Sequence, residues 1–233
     1  MILSSEKKVI MLFVPRTGTN TLRTMFKNTG IPLTVCDESH TGYANLAEVI
    51  SMDQYSIEDK FGIPNLEALA EYKIYSFCRD PFDRCISIVN YLRRGKQCSK
   101  FFHAFYGDEF PISCSYRKPY AEWTDEMRQM CDSVPMIEVF RKFKWYMERG
   151  VYGKTHKRWL EGNVIPLRFE DYDNEVSKVL IELGVDPSTV TIPHINPSTT
   201  IPEYDALSPL EEAEIREYMR EDYEFLASKG VIY

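Results

Sequence analysis

Arg16, Thr17, Gly18, Thr19, Asn20 and Thr21 follow the apolar run Val9 to Phe13, within the stretch VPRTGTNTL that ends at Leu22. A strand that breaks into a small, hydroxyl-rich turn and then a helix presents main-chain N–H groups at a helix N-terminus, where the helix dipole favours an anion. Gly18 lets the backbone approach a ligand closely, Thr17, Thr19 and Thr21 bring hydroxyls, and Arg16 brings charge. The chemistry suited to this spacing is the holding of a phosphate or sulfate group. A nucleoside-triphosphate loop reads GxxxxGK[ST], and this stretch has neither its first glycine nor its Lys-Ser/Thr pair, which opposes a P-loop nucleotide kinase.

A second chemistry-bearing segment, Arg79-Asp80-Pro81-Phe82-Asp83-Arg84-Cys85-Ile86-Ser87, follows the short apolar strand pattern Tyr72 to Cys78. Asp80 as N-cap, Pro81 at the first helical position and Asp83 in the first turn form a helix start, so a strand ends at Arg79 and a helix carries Ser87. The two segments together resemble sulfotransferases that use 3′-phosphoadenosine 5′-phosphosulfate (PAPS). Val14 to Thr21 is similar to their 5′-phosphosulfate loop, P-K-[ST]-G-T-[ST], with Arg16 where lysine is usual. Arg79 to Ser87 is similar to their 3′-phosphate motif, R-[DN]-P-[FY]-[DE]-R-x-x-S, without a gap. The resemblance implies that Arg79 and Ser87 hold the 3′-phosphate, and a bidentate guanidinium with a donating hydroxyl suits that task. It extends, less specifically, to Thr155-His156-Lys157-Arg158-Trp159-Leu160, to Asn163 through Asp171, and to Ile195 through Leu226, the last similar to carbohydrate-type members and their bacterial and viral relatives. Lys157 and Arg158 are further candidate cofactor contacts.

The activity so implied is in-line transfer of a sulfuryl group from PAPS to a hydroxyl, with a carbohydrate favoured as acceptor. Such a reaction needs positioning, charge stabilisation on the leaving phosphate and a base for the acceptor proton. Arg16 and the loop Thr17 to Thr21 meet the first two. His40 is the first candidate for the base: it follows a second short strand, at the sheet edge where open α/β sheets bind ligands, and imidazole titrates near neutrality. Glu38 is the alternative, since related enzymes use either residue type in this region. No metal is expected, because a sulfuryl group carries less charge than a terminal phosphoryl and the four histidines, His40, His103, His156 and His194, lack ligand spacing. Two other readings stay open. One is a degenerate module that keeps cofactor affinity without chemistry, for which Arg16 in the lysine position is the sign. The other is a cysteine phosphatase, since Cys78 to Arg84 has the C-x₅-R spacing; Asp80, Pro81 and Asp83 oppose it, two by charge and one by removing an N–H.

A chain of 233 residues with 44% hydrophobic content suits one α/β domain, residues 1–233. The fold class expected is α/β, a P-loop-like three-layer arrangement with a central parallel sheet flanked by helices. Strands are expected at Val9 to Phe13, Leu33 to Cys36, Tyr72 to Cys78 and Val164 to Phe169. The first helix runs from Gly18 to Thr29, another from Tyr172 to Leu183 with its stop at Gly184, and a capping box, Ser208-Pro209-Leu210-Glu211, opens a long final helix. In that helix Asp222 interrupts an apolar stripe and requires a buried partner, an arginine or main-chain N–H groups. The Pro/Thr-rich stretch Pro193 to Pro202 is expected to be an ordered loop over the cofactor. Residues 93–153 carry no resemblance and form the expected variable, helical acceptor region; His103 among aromatics reads there as packed or as an acceptor wall. Phe101 to Phe110 and Tyr116 to Trp123 are aromatic-rich enough to stack on a sugar, a phenol or a lipid.

A net charge of −7 opposes nucleic-acid binding, which needs clustered Lys and Arg; Arg93-Arg94-Gly95-Lys96 and Lys154 to Arg158 read as solvated helix ends. No apolar run approaches the ~20 residues that span a bilayer, and the start, MILSSEKK, is too short to be a secretory signal. Six cysteines without CxxC spacing read as reduced thiols in a cytoplasmic protein.

Overall fold

Every residue of β1 (Ile2–Ser4) and β2 (Val9–Leu12) is buried, as is all of β4 (Lys73–Cys78) after its first residue; β3 (Thr34–Val35) and β5 (Ile165–Arg168) complete the strands. Strands without an exposed face belong inside a sheet covered on both sides. The computed structural model describes residues 2–28, 34–35, 63, 66–94, 98–107, 123–149, 155–192 and 207–233. Among the described residues the strand order is β3-β1-β2-β4-β5.

The class is α/β, as expected, but the sheet is mixed and not wholly parallel. β2, β4 and β5 are parallel, with Val9 opposite Lys73 and Cys78 opposite Arg168, whereas β1 runs antiparallel to both β2 and β3. The reason is chain length: Ser5 to Lys8 form only a turn, far too short for the crossover that parallel neighbours require.

Two compact units divide the chain, one made of Met1–Asp80, Thr155–Pro197 and Glu221–Tyr233, the other of Pro81–Lys154 and Ser198–Arg220. The first unit contains the sheet. Val9, Met11, Phe13, Phe77 and Leu167 point to one face, where they meet Leu22, Met25 and Phe26 of α1 (Thr19–Asn28) and Val176, Val179 and Leu180 from the helix after β5. Ile10, Leu12, Ile74 and Cys78 point to the other, against Leu69 of α2 (Leu66–Leu69), Leu160 and Leu226. Each such side chain, fully buried, contributes about 1.5–3 kcal/mol.

The second unit is helical among its described residues. Its helices are α3 (Pro81–Arg94), α4 (Cys98–Tyr106), α5 (Asp125–Ser133) and α6 (Met136–Arg149), with a further one at Pro209–Tyr218. Pro81 and Asp83 take the helix-start positions expected of them. Arg93 is no solvated helix end, a correction to the sequence reading: it is 2% exposed, its Nε donates to the Cys131 carbonyl at 2.8 Å, and the adjacent Arg94 pairs with Asp132 at 2.6 Å. His103 is likewise not packed, but exposed on α4 between the buried Phe101 and Phe102 and Gly107.

Back in the first unit are α7 (Lys157–Leu160) and α8 (Tyr172–Glu182). α8 stops where predicted: Gly184 at φ +76° lets its own N–H reach Ile181 and the Val185 N–H reach Leu180, both at 2.9 Å. The capping box at Ser208 and Glu211 forms as read. The long final helix does not. Met219 breaks it into α9 (Pro209–Tyr218) and α10 (Arg220–Ser228), its N–H shared between the Ile215 and Arg216 carbonyls in a tightened last turn. Ile215 and Met219 are buried before the break and Leu226 is buried after it. None of the helices among the described residues is long and apolar enough to cross a membrane.

Candidate functional site

Beyond β2 the chain stays buried through Phe13 and Val14, then turns at Pro15 and Arg16. Arg16 adopts φ +71° and Gly18 φ +73°, so the turn uses two left-handed residues, one of which has a Cβ. Such strain in a side-chain-bearing residue is retained where the surroundings over-determine it, often at ligand sites. The hydroxyls of Thr17 and Thr19 both donate to the Val14 carbonyl, at 2.8 and 2.9 Å, and tie the turn closed. Both hydroxyl protons are thus engaged inside the turn. The first bond of α1 runs from Leu22 N–H to Gly18 C=O, so the amides ahead of it have no carbonyl of their own helix to bond. No acidic residue lies in the first turn of α1, so that turn itself supplies no counter-charge to the helix's positive end. Asn20 is exposed there and Thr21 buried.

What Gly18 faces was not legible in the sequence. A Cβ at this position would lie 2.9 Å from Cε2 of Phe169 and 2.9 Å from Cε2 of Tyr172. Tyr172 also donates its hydroxyl to the Gly18 carbonyl at 3.3 Å, and burial raises its pKa so that the phenol stays protonated for the purpose. Its ring stacks on Phe77, centroids 4.8 Å apart, and meets Phe169 edge-on at 5.5 Å. Phe169 turns its face to Arg79, whose guanidinium carbon sits 5.1 Å from the ring centroid. Three chain ends therefore meet: the loop after β2, Arg79 after β4 and the turn after β5. All three leave the carboxyl edge of parallel strands, the edge at which open α/β sheets bind ligands.

Arg79 is held from behind as well. Its main-chain N–H donates to Nε2 of His156 at 3.2 Å, and the next N–H, that of Asp80, donates to Oε1 of Glu170 at 2.9 Å. His156 and Asp222 are both 0% exposed; Nδ1 and Oδ2 lie 2.6 Å apart, and the His156 N–H donates to Oδ1. Asp222 thus has the buried partner it required, including a main-chain N–H, but the side chain that meets it is an imidazole and not an arginine. Tyr223, its neighbour on α10, donates to both carboxylate oxygens of Asp80 at 3.1 and 3.2 Å.

Cys78, one residue before Arg79, is fully buried, with Sγ 3.3 Å from the Leu167 carbonyl. Burial pushes its thiol up to about 11, the reverse of what a phosphatase nucleophile needs. Ser87 lies in the second unit, buried at 6% exposure within α3. Lys157 is exposed at the first position of α7; Arg158 belongs to the same helix, and its side chain is outside the described part. His40 and Glu38, the two candidates for the base, lie outside the described residues, as does the Pro193 to Pro202 stretch. The structure brings Arg16, Thr17, Gly18, Thr19 and Arg79 to one edge of one sheet. Phe169, Tyr172, His156 and Asp222 join them there; in the sequence His156 and Phe169 stood only within stretches of weaker resemblance, and Asp222 as a charge inside an apolar stripe. No protein-family model, curated protein or solved structure matches the chain.

Proposed function

We propose that this protein is a PAPS-dependent sulfotransferase that transfers a sulfuryl group to a hydroxyl acceptor, with a carbohydrate as the favoured class. The observation that supports the reading is the neighbourhood of two anion-binding elements, the α1 N-terminus with Gly18 and the guanidinium of Arg79, at the carboxyl ends of the paired strands β2 and β4. A nucleotide with phosphates at both its 5′ and 3′ positions asks for two such elements. The residues present fit it: the first turn of α1 carries no acid, Arg16 brings positive charge to the loop before it, and Arg79 is held over the face of Phe169.

When bound, the donor supplies a sulfuryl group on a phosphate leaving group. Arg16 and the amides at the start of α1 stabilise the charge that grows on that phosphate, in place from the outset and so without reorganisation at the moment of reaction. Arg79 selects a donor bearing the additional phosphate over ATP. The acceptor hydroxyl gives its proton to His40 or Glu38, the choice the sequence leaves open. Cytoplasmic location and the absence of a nucleic-acid partner belong to the same proposal.

Calorimetry with the desulfated nucleotide, 3′-phosphoadenosine 5′-phosphate, should show binding without magnesium and much weaker binding of ATP. Loss of a charge-assisted contact of about 1.5–3 kcal/mol means that Arg79→Ala binds roughly ten- to a hundredfold less tightly. Sulfated product found by mass spectrometry after incubation with PAPS and an acceptor library separates an enzyme from a binding module without chemistry. Equal affinity for ATP would overturn the proposal. His40→Ala should lower turnover by ~10²- to 10⁴-fold with affinity for the nucleotide unchanged, and Glu38→Gln is its paired control.

A further inference from the structure

We propose that His156 is a positioning residue: Asp222 holds it in one tautomer, and its Nε2 then fixes the peptide of Arg79 and aims that guanidinium. The proposal deepens the reading of Arg79 as a phosphate ligand and rests on it.

A main-chain N–H can only donate, so the Nε2 atom 3.2 Å from the Arg79 nitrogen presents a bare lone pair. The ring proton is therefore on Nδ1, 2.6 Å from Oδ2 of Asp222. The other carboxylate oxygen takes the main-chain N–H of His156 itself, so ring and backbone are gripped by one carboxylate. With both ring nitrogens engaged and no exposure to water, the imidazole has one orientation. Protonation of Nε2 would set an N–H against the N–H of Arg79.

The place of this grip in the chain is what gives it a purpose. The ladder between β4 and β5 ends at the pair Cys78 and Arg168, and past it the Arg79 and Asp80 amides have left the ladder. Two side chains, His156 and Glu170, accept those two consecutive N–H groups, which fixes the peptides on both sides of the Arg79 Cα. The face of Phe169 then holds the guanidinium. A buried carboxylate is costly where leucine would pack, and Asp222 interrupts an otherwise apolar stripe, so the position serves orientation and not stability. Such outer partners set the geometry of the residues that meet a ligand.

The decisive variant is Asp222→Asn. Its amide presents one acceptor and one donor to two N–H groups, so whichever way it turns, one N–H meets another; the ring escapes by moving its proton to Nε2, and Arg79 loses its acceptor. Nitrogen-15 shifts of the His156 ring, hydrogen exchange of the Arg79 amide and affinity for 3′-phosphoadenosine 5′-phosphate are measured on wild type, Asp222→Asn, His156→Leu and His156→Gln, each checked for native circular dichroism. In Asp222→Asn the ring shifts should invert, Arg79 exchange should quicken, and affinity should fall about tenfold or more, as for other outer-partner losses. His156→Gln, whose carbonyl can accept from Arg79 while its amide donates to Asp222, should restore protection and most of the affinity. Folded Asp222→Asn or His156→Leu protein with a protected Arg79 amide and wild-type affinity would overturn the proposal and leave the pair a packing element. If Arg79→Ala binds the nucleotide as wild type does, the phosphate role of Arg79 fails instead, and the exchange data alone then decide whether His156 grips that peptide.

Discussion

Gly18→Ala is the perturbation for which the structure yields a magnitude. Two costs add. At φ +73° an L-residue meets its own carbonyl, at about 1–2 kcal/mol. The new methyl also falls 2.9 Å from one ring carbon each of Phe169 and Tyr172, and neither ring has room to yield: Tyr172 is stacked on Phe77, and Phe169 lies beneath Arg79. Overpacking of this kind costs about 1–3 kcal/mol, so the sum is roughly 2–5 kcal/mol. For a chain of this size that lowers the midpoint of thermal unfolding by about 4–20 °C. Differential scanning calorimetry reads the total, and a second background divides it. With Phe169→Leu and Tyr172→Leu both in place the ring atoms are gone, and Gly18→Ala should cost only the backbone part, about 1–2 kcal/mol. The same cost on both backgrounds would show that the rings do not press on Gly18. No cost on either would refute the described turn itself.

The remaining predictions concern charge. Arg16→Gly should leave the fold within about 1 kcal/mol of wild type, because glycine takes φ +71° without a Cβ, while affinity for 3′-phosphoadenosine 5′-phosphate falls; Arg16→Lys should keep substantial activity, and unchanged binding in Arg16→Gly would remove Arg16 from the site. Cys78 and Cys85, which burial raises to about 11 and about 12, should resist iodoacetamide at pH 8 until the protein is unfolded, and prompt labelling of either in native protein would contradict their burial. In the second unit Arg141, with Lys144, holds the Glu214 carboxyl down to about 2 from an ordinary 4.5. A lowered folded-state value means a stabilising contribution that is present above pH 4.5 and lost as pH falls through 2, so wild type should outlast Glu214→Gln in urea at pH 6 and lose that advantage toward pH 2.

What could be read from the sequence was local. The loop after Phe13 is a turn because small hydroxyl residues and a glycine interrupt an apolar run, α3 starts at Pro81 because proline and Asp83 suit a first turn, and α8 stops at Gly184 because glycine alone reaches φ +76° without strain. Arg16 and Arg79 stood out for a similar reason, as charges placed at strand ends beside helix starts. The antiparallel β1 was not legible, since a three-residue stretch, Ile2-Leu3-Ser4, gains strand character only by pairing with β2 and β3. Nor was the break at Met219, where the apolar periodicity of the sequence runs on and only the backbone hydrogen bonding marks the end of α9. The site's supports were the least legible of all. Asp222 declares in sequence that it needs a partner, but His156 lies 66 residues away, and a sequence separation says nothing about which donor the fold will bring. Phe169 reads as an ordinary strand-end aromatic until the sheet sets its ring between Gly18 and Arg79. Residue types specified which groups could hold an anion; the parallel register of β2, β4 and β5 decided that they stand together, because only packing in three dimensions fixes distances between residues that the chain keeps apart.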